Sequence, residues 1–377
     1  MADDYIYLDN NATTKIDSRV LASMMPYFTD YYANANSSHI SGISLTEAVE
    51  DATWQIADLI GANEKEIIFT SGATEAINLA IKGLANVNRN KIITFTTEHK
   101  AVLETCKYME SKGLNVEYLP VQSDGTIDDD LLKNSITEDT YLVIAMMCNN
   151  ETGTLHDVKK ISEFAHQKGA LLLCDTTQAV GKIPIDVSDL GIDMMTISAH
   201  KFYGPKGIGA LYVSRNVISE LNTQMHGGGQ QKNLRSGTLN VPGVIGMAKA
   251  CEIAKAEMKK DEIRIRKIRD FLEMELLKID GSFVNGSVEN RIYNTSNICF
   301  PGVWSEQLIL SLAKILVSSG SACSAVTSEP SHVLKALGMS DDDALCSIRF
   351  SLGRFTTEDE INYTITRVKE LIRQFKA

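Results

Sequence analysis

The stretch that decides the fold is residues 141–178, "YLVIAMMCNNETGTLHDVKKISEFAHQKGALLLCDTTQ". Its first part, "YLVIAMM", and its last part, "ALLLCD", are continuous apolar runs. Such runs are typical of β-strands that are covered on both faces of a sheet. The segment between them, "VKKISEFAHQKG", has the apolar spacing of an amphipathic helix. The order strand, helix, strand predicts a parallel β-α-β unit.

The same alternation extends from about Glu66 to Ser214. "EIIFT" precedes "GATEAINLAIKGLA", "KIITFTT" precedes "AVLETCKYMES", and "MMTISAHK" and "GALYVS" follow the stretch quoted above. We therefore predict an α/β fold with a mostly parallel central sheet in a large domain. After about Lys249 a long charged helical stretch, starting at "CEIAKAEM", runs to Asp280-Gly281, and shorter strands and helices follow. This change predicts a smaller α+β domain, and we assign residues 13–255 to the large domain and residues 1–12 and 256–377 to the small one.

Composition excludes several classes of protein. The chain has 377 residues with a formal net charge of −11, which argues against a broad nucleic-acid-binding surface. No apolar run approaches the ~18 residues of a membrane span, and the acidic N-terminus lacks the pattern of a signal peptide. The 7 cysteines form no C-x-x-C pair, and the histidines show no H-x-x-x-H spacing, so we expect neither a disulfide framework nor a metal site. These features predict a cytoplasmic protein.

Polar segments follow the predicted strands, and these are the places to look for a site. They are "SGATE", "TEHK", "CNNETG", "DTTQ" and "SAHK". In open α/β sheets, ligands bind beyond the carboxyl ends of the strands. We therefore expect the five segments to converge on one side of one sheet.

Lys201 and Asp175 stand at the ends of two of these strands. A lysine in a partly desolvated pocket can form a Schiff base with an aldehyde, and a carboxylate can keep a pyridinium nitrogen protonated. Each residue alone has an ordinary explanation, a solvated lysine and a turn or cap aspartate. Together they favour a pyridoxal phosphate site.

A phosphate site is predicted at the turn of "TSGATEAINLA". Gly72, Ala73 and Thr74 stand where a strand passes into a helix, and the free N–H groups of a helix start attract anions. Ser198 and His200 can add donors beside the lysine. A plain helix cap is the alternative for this turn.

The sequence resembles the NifS/IscS cysteine desulfurases, which are pyridoxal phosphate enzymes of the class V aminotransferase group. The resemblance is carried by "YLDNNATT", "FTSGATEAINLAIKG", "TEHKAV", "NNETG", "SAHKFYGPKGIGALYV", "HGGGQQKNLRSGT", "SSGSAC" and "SIRFSLGRFTTEDEI". It runs from Tyr7 nearly to the end of the chain. It implies the fold type I transferase fold, pyridoxal 5'-phosphate as cofactor and a homodimer.

The resemblance also implies a role for each matching residue. Lys201 would be the Schiff-base lysine, His99 would stack on the pyridine ring and assist proton transfer, and Cys323 would be the nucleophile. The remaining cofactor contacts would be Asp175 on the ring nitrogen, Gln178 on the ring hydroxyl, and Ala73, Thr74, Ser198, His200 and, from the other subunit, Thr238 on the phosphate, with Asn150 also at the cofactor. Asn150 and Arg349 would hold the substrate carboxylate, with Asn34 as a further candidate. Asn34 is followed by Ala35, where the family pattern has proline.

The implied reaction converts L-cysteine to L-alanine and leaves the sulfur on Cys323 as a persulfide. Cys323 stands in "SSGSACSAVTSEPS", residues 318–331, a run of small residues that predicts a mobile loop. Such a loop could bring the thiol to the cofactor and then carry sulfur to an acceptor protein. An inconsequential surface cysteine is the alternative.

Other functions stay open at this point. A selenocysteine lyase or a transaminase could use the same scaffold, and a transaminase would not need Cys323. A non-catalytic partner-binding protein could keep the fold, although the intact Lys201, Asp175, His99 and Cys323 argue against it. The sulfur acceptor could be an iron–sulfur scaffold, a tRNA-thiolating protein or a DNA-modifying partner.

Overall fold

The computed structural model describes residues 5–84, 89–319 and 329–377. In these ranges the strands are β1 (Ile6–Tyr7), β2 (Ile67–Thr70), β3 (Lys91–Phe95), β4 (Asn115–Leu119), β5 (Thr140–Met146), β6 (Leu171–Asp175), β7 (Met194–Ser198), β8 (Gly209–Val213), β9 (Phe283–Val284), β10 (Thr295–Cys299), β11 (Ile315–Leu316) and β12 (Ser347–Ser351). The α-helices are α1 (Ser18–Met24), α2 (Pro26–Thr29), α3 (Ile40–Ile60), α4 (Ala73–Gly83), α5 (Lys100–Glu110), α6 (Asp129–Ser135), α7 (Val158–Gln167), α8 (Val241–Leu276), α9 (Ser305–Leu312), α10 (His332–Ala336), α11 (Asp341–Leu345) and α12 (Glu358–Lys376).

A seven-stranded sheet with the order β2-β8-β7-β6-β5-β3-β4 forms the centre of the molecule. Five neighbouring strands are parallel to one another, namely β7, β6, β5, β3 and β4. Strand β8 is antiparallel to both of its neighbours, β2 and β7. The connection from β7 to β8 is too short for a crossover, and a short connection can join only antiparallel neighbours. The predicted α/β fold with a mostly parallel sheet is confirmed.

The sheet is buried on both faces, as the continuous apolar runs predict. In β5, Val143 and Ala145 belong to one hydrophobic cluster, and Leu142 and Ile144 belong to the cluster on the opposite face. Full burial of a side chain of the size of Val143, Leu142 or Ile144 contributes about 1.5–3 kcal/mol relative to an exposed one. Helices cover both faces, so the polar ends of the strands are the part of the sheet left for a site.

The long helix α8 joins the sheet to the C-terminal part of the chain. It begins at Val241, where the Asn240 side chain accepts a hydrogen bond from the N–H of Gly243, and it ends at Leu276. The sequence pattern predicted the start of this helix at Cys251 and so missed its first part, from Val241 onward. The residues of that part are small and apolar and lack the charge pattern of the rest. The predicted domain boundary at residue 255 falls inside this helix, and the division into two domains stays a prediction.

The N-terminal segment pairs with the C-terminal part. Strand β1 is parallel to β11, and Asp9 forms a bridge with Ser351. A second sheet has the antiparallel order β12-β10-β9. The N-terminal segment then continues from Asp9 towards the ends of β6 and β7. No helix in the described ranges is long and apolar enough to cross a membrane.

Candidate active site

A cavity of about 560 Å³ lies at the carboxyl ends of the central strands. All five polar segments that follow the predicted strands contribute to its wall, so the expected convergence is confirmed. The predicted residues that line the cavity are Ala73, Thr74, His99, Asn150, Asp175, Gln178, Ser198, His200, Lys201 and Arg349.

Lys201 ends a short 3-10 helix, Ala199–Lys201, directly after β7. Its Nζ donates hydrogen bonds to the carbonyl oxygens of Asn11 at 2.7 Å and of Ala12 at 2.9 Å. Two backbone acceptors of fixed position therefore hold the amine at the wall of the cavity. This placement suits a lysine that must meet a bound aldehyde.

Asp175 is the last residue of β6, the strand next to β7, and only 7% of it is exposed. Its Oδ1 accepts hydrogen bonds from the N–H of Thr177 and from the hydroxyl of Thr196, both at 2.9 Å. These two donors fix the carboxylate plane. None of the described residues donates a hydrogen bond to the second oxygen, Oδ2, which is therefore available to a group inside the cavity.

The start of α4 forms a ready anion site. Gly72 precedes the helix, and no side chain caps its first turn. The first N–H groups of a helix have no partner within the helix, and the helix dipole adds partial positive charge there. Ala73 and Thr74 carry two of these groups, and Ser198 faces the same turn, close to Gly72. The predicted phosphate donors are thus brought together.

Close backbone packing shapes this turn. A Cβ atom at Gly209, the first residue of β8, would lie 2.7 Å from the Cα atom of Gly72 and 2.3 Å from the carbonyl oxygen of Ile197. Neither backbone atom can move aside. Only glycine at 209 lets β8 begin against the α4 turn.

His200 extends the same wall. Its Nδ1 lies 3.0 Å from the hydroxyl oxygen of Thr13. Burial, together with the positive charges of Lys201 and Lys206, lowers the pKa of His200 to about 4. The ring is therefore neutral at pH 7, and it would meet an anion as a hydrogen-bonding group rather than as a cation.

His99 is the N-cap residue of α5, and its Nδ1 accepts a hydrogen bond from the N–H of Ala101 at 3.0 Å. Because Nδ1 is an acceptor, a neutral ring carries its proton on Nε2. Burial lowers the pKa of His99, while the Asp175 carboxylate opposes the shift and Lys201 adds to it. The ring is kept neutral with a defined tautomer, as a proton-transfer group requires.

Arg349 in β12 is only 2% exposed, yet it lines the cavity. Its Nη1 donates to the carbonyl oxygen of Asn150 at 2.8 Å, and its Nη2 donates to Oδ1 of Asp9 at 2.6 Å. The guanidinium is therefore locked by a backbone acceptor and a carboxylate. Asn150 and Arg349 lie together, as their predicted shared role requires.

Three predicted site residues lie outside this cavity or outside the described residues. Asn34 is exposed, and its Oδ1 accepts a hydrogen bond from the N–H of Asn36 at 2.9 Å instead of facing the cavity. Thr238 is also exposed and does not line the cavity of its own chain. Cys323 lies outside the described residues. Their roles stay predictions.

The N-terminal segment supplies wall residues to which the sequence reasoning gave no role. Asn11, Ala12 and Thr13 line the cavity, and the Asn11 carbonyl accepts from both Lys201 and Gln178. The motif "YLDNNATT", one of those that carry the family resemblance, was the feature of the sequence that could have pointed to these residues. Lys182, which contacts Gln178 from behind the wall, was also missed.

The other cysteines are buried and unreactive. The six in the described ranges are all free thiols, and burial raises the pKa of Cys106, Cys148 and Cys299 to about 12. Cys148, predicted as a buried strand residue, is buried but lies two residues beyond the end of β5. Within the part of the chain that the structure describes, no group of three or more His, Cys, Asp or Glu side chains could hold a metal ion.

Comparisons with known proteins agree with this geometry. The family model for class-V aminotransferases matches residues 6–364. A relative named cysteine desulfurase IscS, from Serratia proteamaculans, is 49% identical over 377 residues, which cover 98% of this chain and 93% of that protein.

Solved structures give the same result. A NifS-like protein is 38% identical with a TM-score of 0.92, over 98% of this chain and 99% of its own. A structure described as SspA in complex with cysteine is 36% identical with a TM-score of 0.82, over 93% of this chain and 100% of its own. The resemblance found in the sequence motifs is confirmed.

Proposed function

The chain belongs to the class-V aminotransferase family, and we propose that its cavity takes the sulfur atom from L-cysteine and leaves L-alanine. It is a pyridoxal phosphate-dependent cysteine desulfurase. The observation that carries this function is the meeting of Lys201, Asp175 and the first turn of α4 in one cavity. Their chemistry corresponds to the three reactive parts of the cofactor: the aldehyde, the ring nitrogen and the phosphate.

The residues of the cavity fit the cofactor as a set. Lys201 would bind the aldehyde carbon, the free oxygen of Asp175 would pair with the ring nitrogen, and Gln178 would reach the ring hydroxyl. Ala73, Thr74, Ser198 and His200 would hold the phosphate. When bound, pyridoxal phosphate serves as an electron sink for the charge that remains when an amino acid loses its α-proton.

Side chains of the protein bind the substrate and transfer its protons. Asn150 and Arg349 bind the carboxylate of cysteine and so fix which bond at Cα faces the base. Lys201 removes the α-proton, and His99, neutral with its proton on Nε2, exchanges a proton with the substrate.

Sulfur transfer needs a second thiol, and we assign it to Cys323. Its thiolate attacks the sulfur of the substrate, so that the S–S bond forms as the C–S bond breaks. The electron pair of the C–S bond stays with the carbon skeleton, which takes up a proton and leaves as alanine. The six described cysteines cannot take this role, because each is buried and burial raises the pKa of its thiol.

We also propose a homodimer in which Thr238 of one subunit reaches the phosphate site of the other. Its exposure in the single chain supports this arrangement, and so do large apolar side chains exposed on α1, α2, α3 and the segments between them, among them Tyr32 at 79% and Ile40 at 77%. Sedimentation of the purified protein tests the proposal. A fully active monomer would rule it out.

The sulfur acceptor and the location in the cell are proposals as well. The acceptor would be an iron–sulfur scaffold or a thiolation factor. With ³⁵S-labelled cysteine as substrate, the label should pass through the persulfide to the acceptor and so identify it. The free state of the six described cysteines supports a reducing compartment, the cytoplasm. Fractionation of the native cell tests that location.

Turnover with L-cysteine tests the proposed function. The purified protein with added pyridoxal phosphate should show a visible absorbance band and form alanine and sulfide in equal amounts with a thiol reductant. Lys201→Ala should lose both the band and the turnover. Lys168→Ala, which removes an exposed lysine paired with Glu138, should keep both. Alanine formation by Lys201→Ala at the wild-type rate would overturn the assignment.

A further inference from the structure

Lys182 is a buried lysine that the mechanism does not use. It is 4% exposed, and its Nζ donates a hydrogen bond to Oε1 of Gln178 at 2.8 Å. No carboxylate of the described residues forms an ion pair with it. The positive charges of Lys201 and Arg349 act on it and disfavour its charged form. A buried ammonium with one amide partner is costly, so its position calls for a reason.

The contact with Lys182 fixes the direction of the Gln178 amide. The ammonium form of a lysine can only donate, so the end of the amide that faces it is Oε1. The other end, Nε2, donates to the carbonyl oxygen of Asn11 at 2.8 Å, and a carbonyl can only accept. The Asn11 carbonyl, which accepts only, and the ammonium form of Lys182, which donates only, therefore exclude the flipped amide.

The oriented amide belongs to the wall of the cavity. Gln178 lines the cavity, and the Asn11 carbonyl that accepts from it also accepts from Lys201 at 2.7 Å. An amide nitrogen carries two N–H groups, and the bond to Asn11 uses one of them. The second N–H is left for an oxygen of a molecule in the cavity.

We propose that Lys182 is a positioning residue of the cofactor site, which turns Oε1 of Gln178 away from the cavity and presents Nε2–H to the ring oxygen of pyridoxal phosphate. This inference rests on the proposed function. A hydrogen bond to Oε1 also polarises the amide, so the Nε2–H becomes a stronger donor. Lys182 thus acts on the cofactor through Gln178 without contacting it.

The charge of Lys182 does not decide this role. Burial lowers the pKa of Lys182 to about 7, with Lys201 and Arg349 adding to the shift and the Cys148 thiol opposing it. Both the ammonium and the neutral amine carry N–H groups, so either form donates to Oε1. The neutral amine can also accept, but the Asn11 carbonyl accepts only and keeps Nε2 on its side, so the orientation of the amide holds through neutral pH.

A double-mutant cycle read by cofactor absorbance tests the proposal. The variants are Lys182→Met, Gln178→Ala and the double variant, each loaded with pyridoxal phosphate and titrated with pH. A donor to an oxygen anion lowers the pKa of that oxygen. We expect Lys182→Met to raise the midpoint of the absorbance titration by roughly one pH unit in the wild-type background. In the Gln178→Ala background the same change should have almost no effect.

The alternative to positioning is a direct effect of charge through space. In that case Lys182→Met would shift the midpoint equally with and without Gln178, and this result would overturn the proposal, as would an unshifted midpoint in the single variant. Lys168→Met, the exposed-lysine control, should leave the midpoint unchanged. A wild-type protein without any visible band would instead refute the proposed function, and with it this inference.

The wild-type protein itself provides the test if the Lys182 variants do not fold. A crystal structure with pyridoxal phosphate bound should show Lys182 in contact with Oε1 and Nε2 within hydrogen-bond distance of the ring oxygen. An amide that has left Lys182, or that turns Oε1 towards the ring, would contradict the proposal.

Discussion

Replacement of Arg349 by lysine should weaken the binding of cysteine and leave the cofactor in place. The change keeps one positive charge, but an ammonium cannot occupy both positions of the guanidinium fork. In the structure Nη1 contacts the Asn150 carbonyl and Nη2 contacts Asp9, so the fork sets the position of both neighbours. The lysine loses at least one of these bonds and the geometry for a paired contact with the substrate carboxylate.

The expected loss follows from the value of one charged hydrogen bond, about 1.5–3 kcal/mol. At ~1.4 kcal/mol for each factor of ten, kcat/KM for cysteine should fall roughly 10- to 150-fold. Most of the loss should be in KM, because the carboxylate is held before and during the reaction. The cofactor band should be unchanged, since Arg349 has no predicted contact with the cofactor.

Arg354→Lys is the matched control. Arg354 is also an arginine with a largely covered side chain, 8% exposed, and it contacts Asp261 at 2.8 Å and Asp17 at 3.2 Å, but it does not line the cavity. Steady-state kinetics of both variants should show the rise of KM only for Arg349→Lys. An unchanged KM in that variant, or an equal rise in both, would refute the assignment of Arg349 to the substrate carboxylate.

Three further predictions concern pH and the second subunit. Burial lowers the pKa of His156 from 6.5 to about 4, so the unfolded chain binds the proton more readily than the folded protein. The contribution of the neutral His156 to stability is therefore complete above pH 6.5 and is lost as the pH falls towards 4. His156→Gln should reduce the fall of the urea midpoint between pH 6.5 and 4. Burial raises the pKa of Glu98, although a hydrogen bond from the N–H of Met146 opposes the shift, so this carboxyl costs stability as the pH rises above 4.5, its pKa in the unfolded chain. The urea midpoint of Glu98→Gln should therefore decline less between pH 5 and 8 than that of the wild type. An equal decline would contradict the burial argument. Thr238→Val should weaken cofactor retention in dialysis without lowering the melting temperature of the cofactor-free protein, because the side chain is exposed in its own chain.

Much of the fold was predictable because local pattern and burial coincide in the central sheet. The runs that became β5, β6 and β7 are apolar on both faces, which only a covered sheet explains. Strand β4 escaped prediction, because this edge strand (Asn115–Leu119) is partly exposed along most of its length and lacks a continuous apolar run. The antiparallel direction of β8 depends on the length of one connection rather than on its own residues.

The site was predictable where it follows the strands, and less so where distant segments meet. Asp175, Lys201 and His99 come together because the carboxyl ends of parallel strands share one edge. The Asn11 carbonyl lines the cavity and Asp9 contacts Arg349, and both come from an N-terminal segment that the motif "YLDNNATT" indicates but that no strand or helix periodicity places there. Their contacts with Lys201 and Arg349 span 190 and 340 residues, and no local periodicity encodes such distances.

The most direct test of the central claim locates the sulfur after one brief reaction. The protein loaded with pyridoxal phosphate is mixed with L-cysteine for less than one turnover, alkylated, digested and analysed by mass spectrometry. We predict one additional sulfur atom on Cys323 and none on Cys106, Cys148, Cys174, Cys251, Cys299 or Cys346. In Cys323→Ala the cofactor absorbance should still respond to cysteine, while alanine formation falls by orders of magnitude. Sulfur on one of the six buried cysteines, or near-normal alanine formation by Cys323→Ala, would contradict the mechanism.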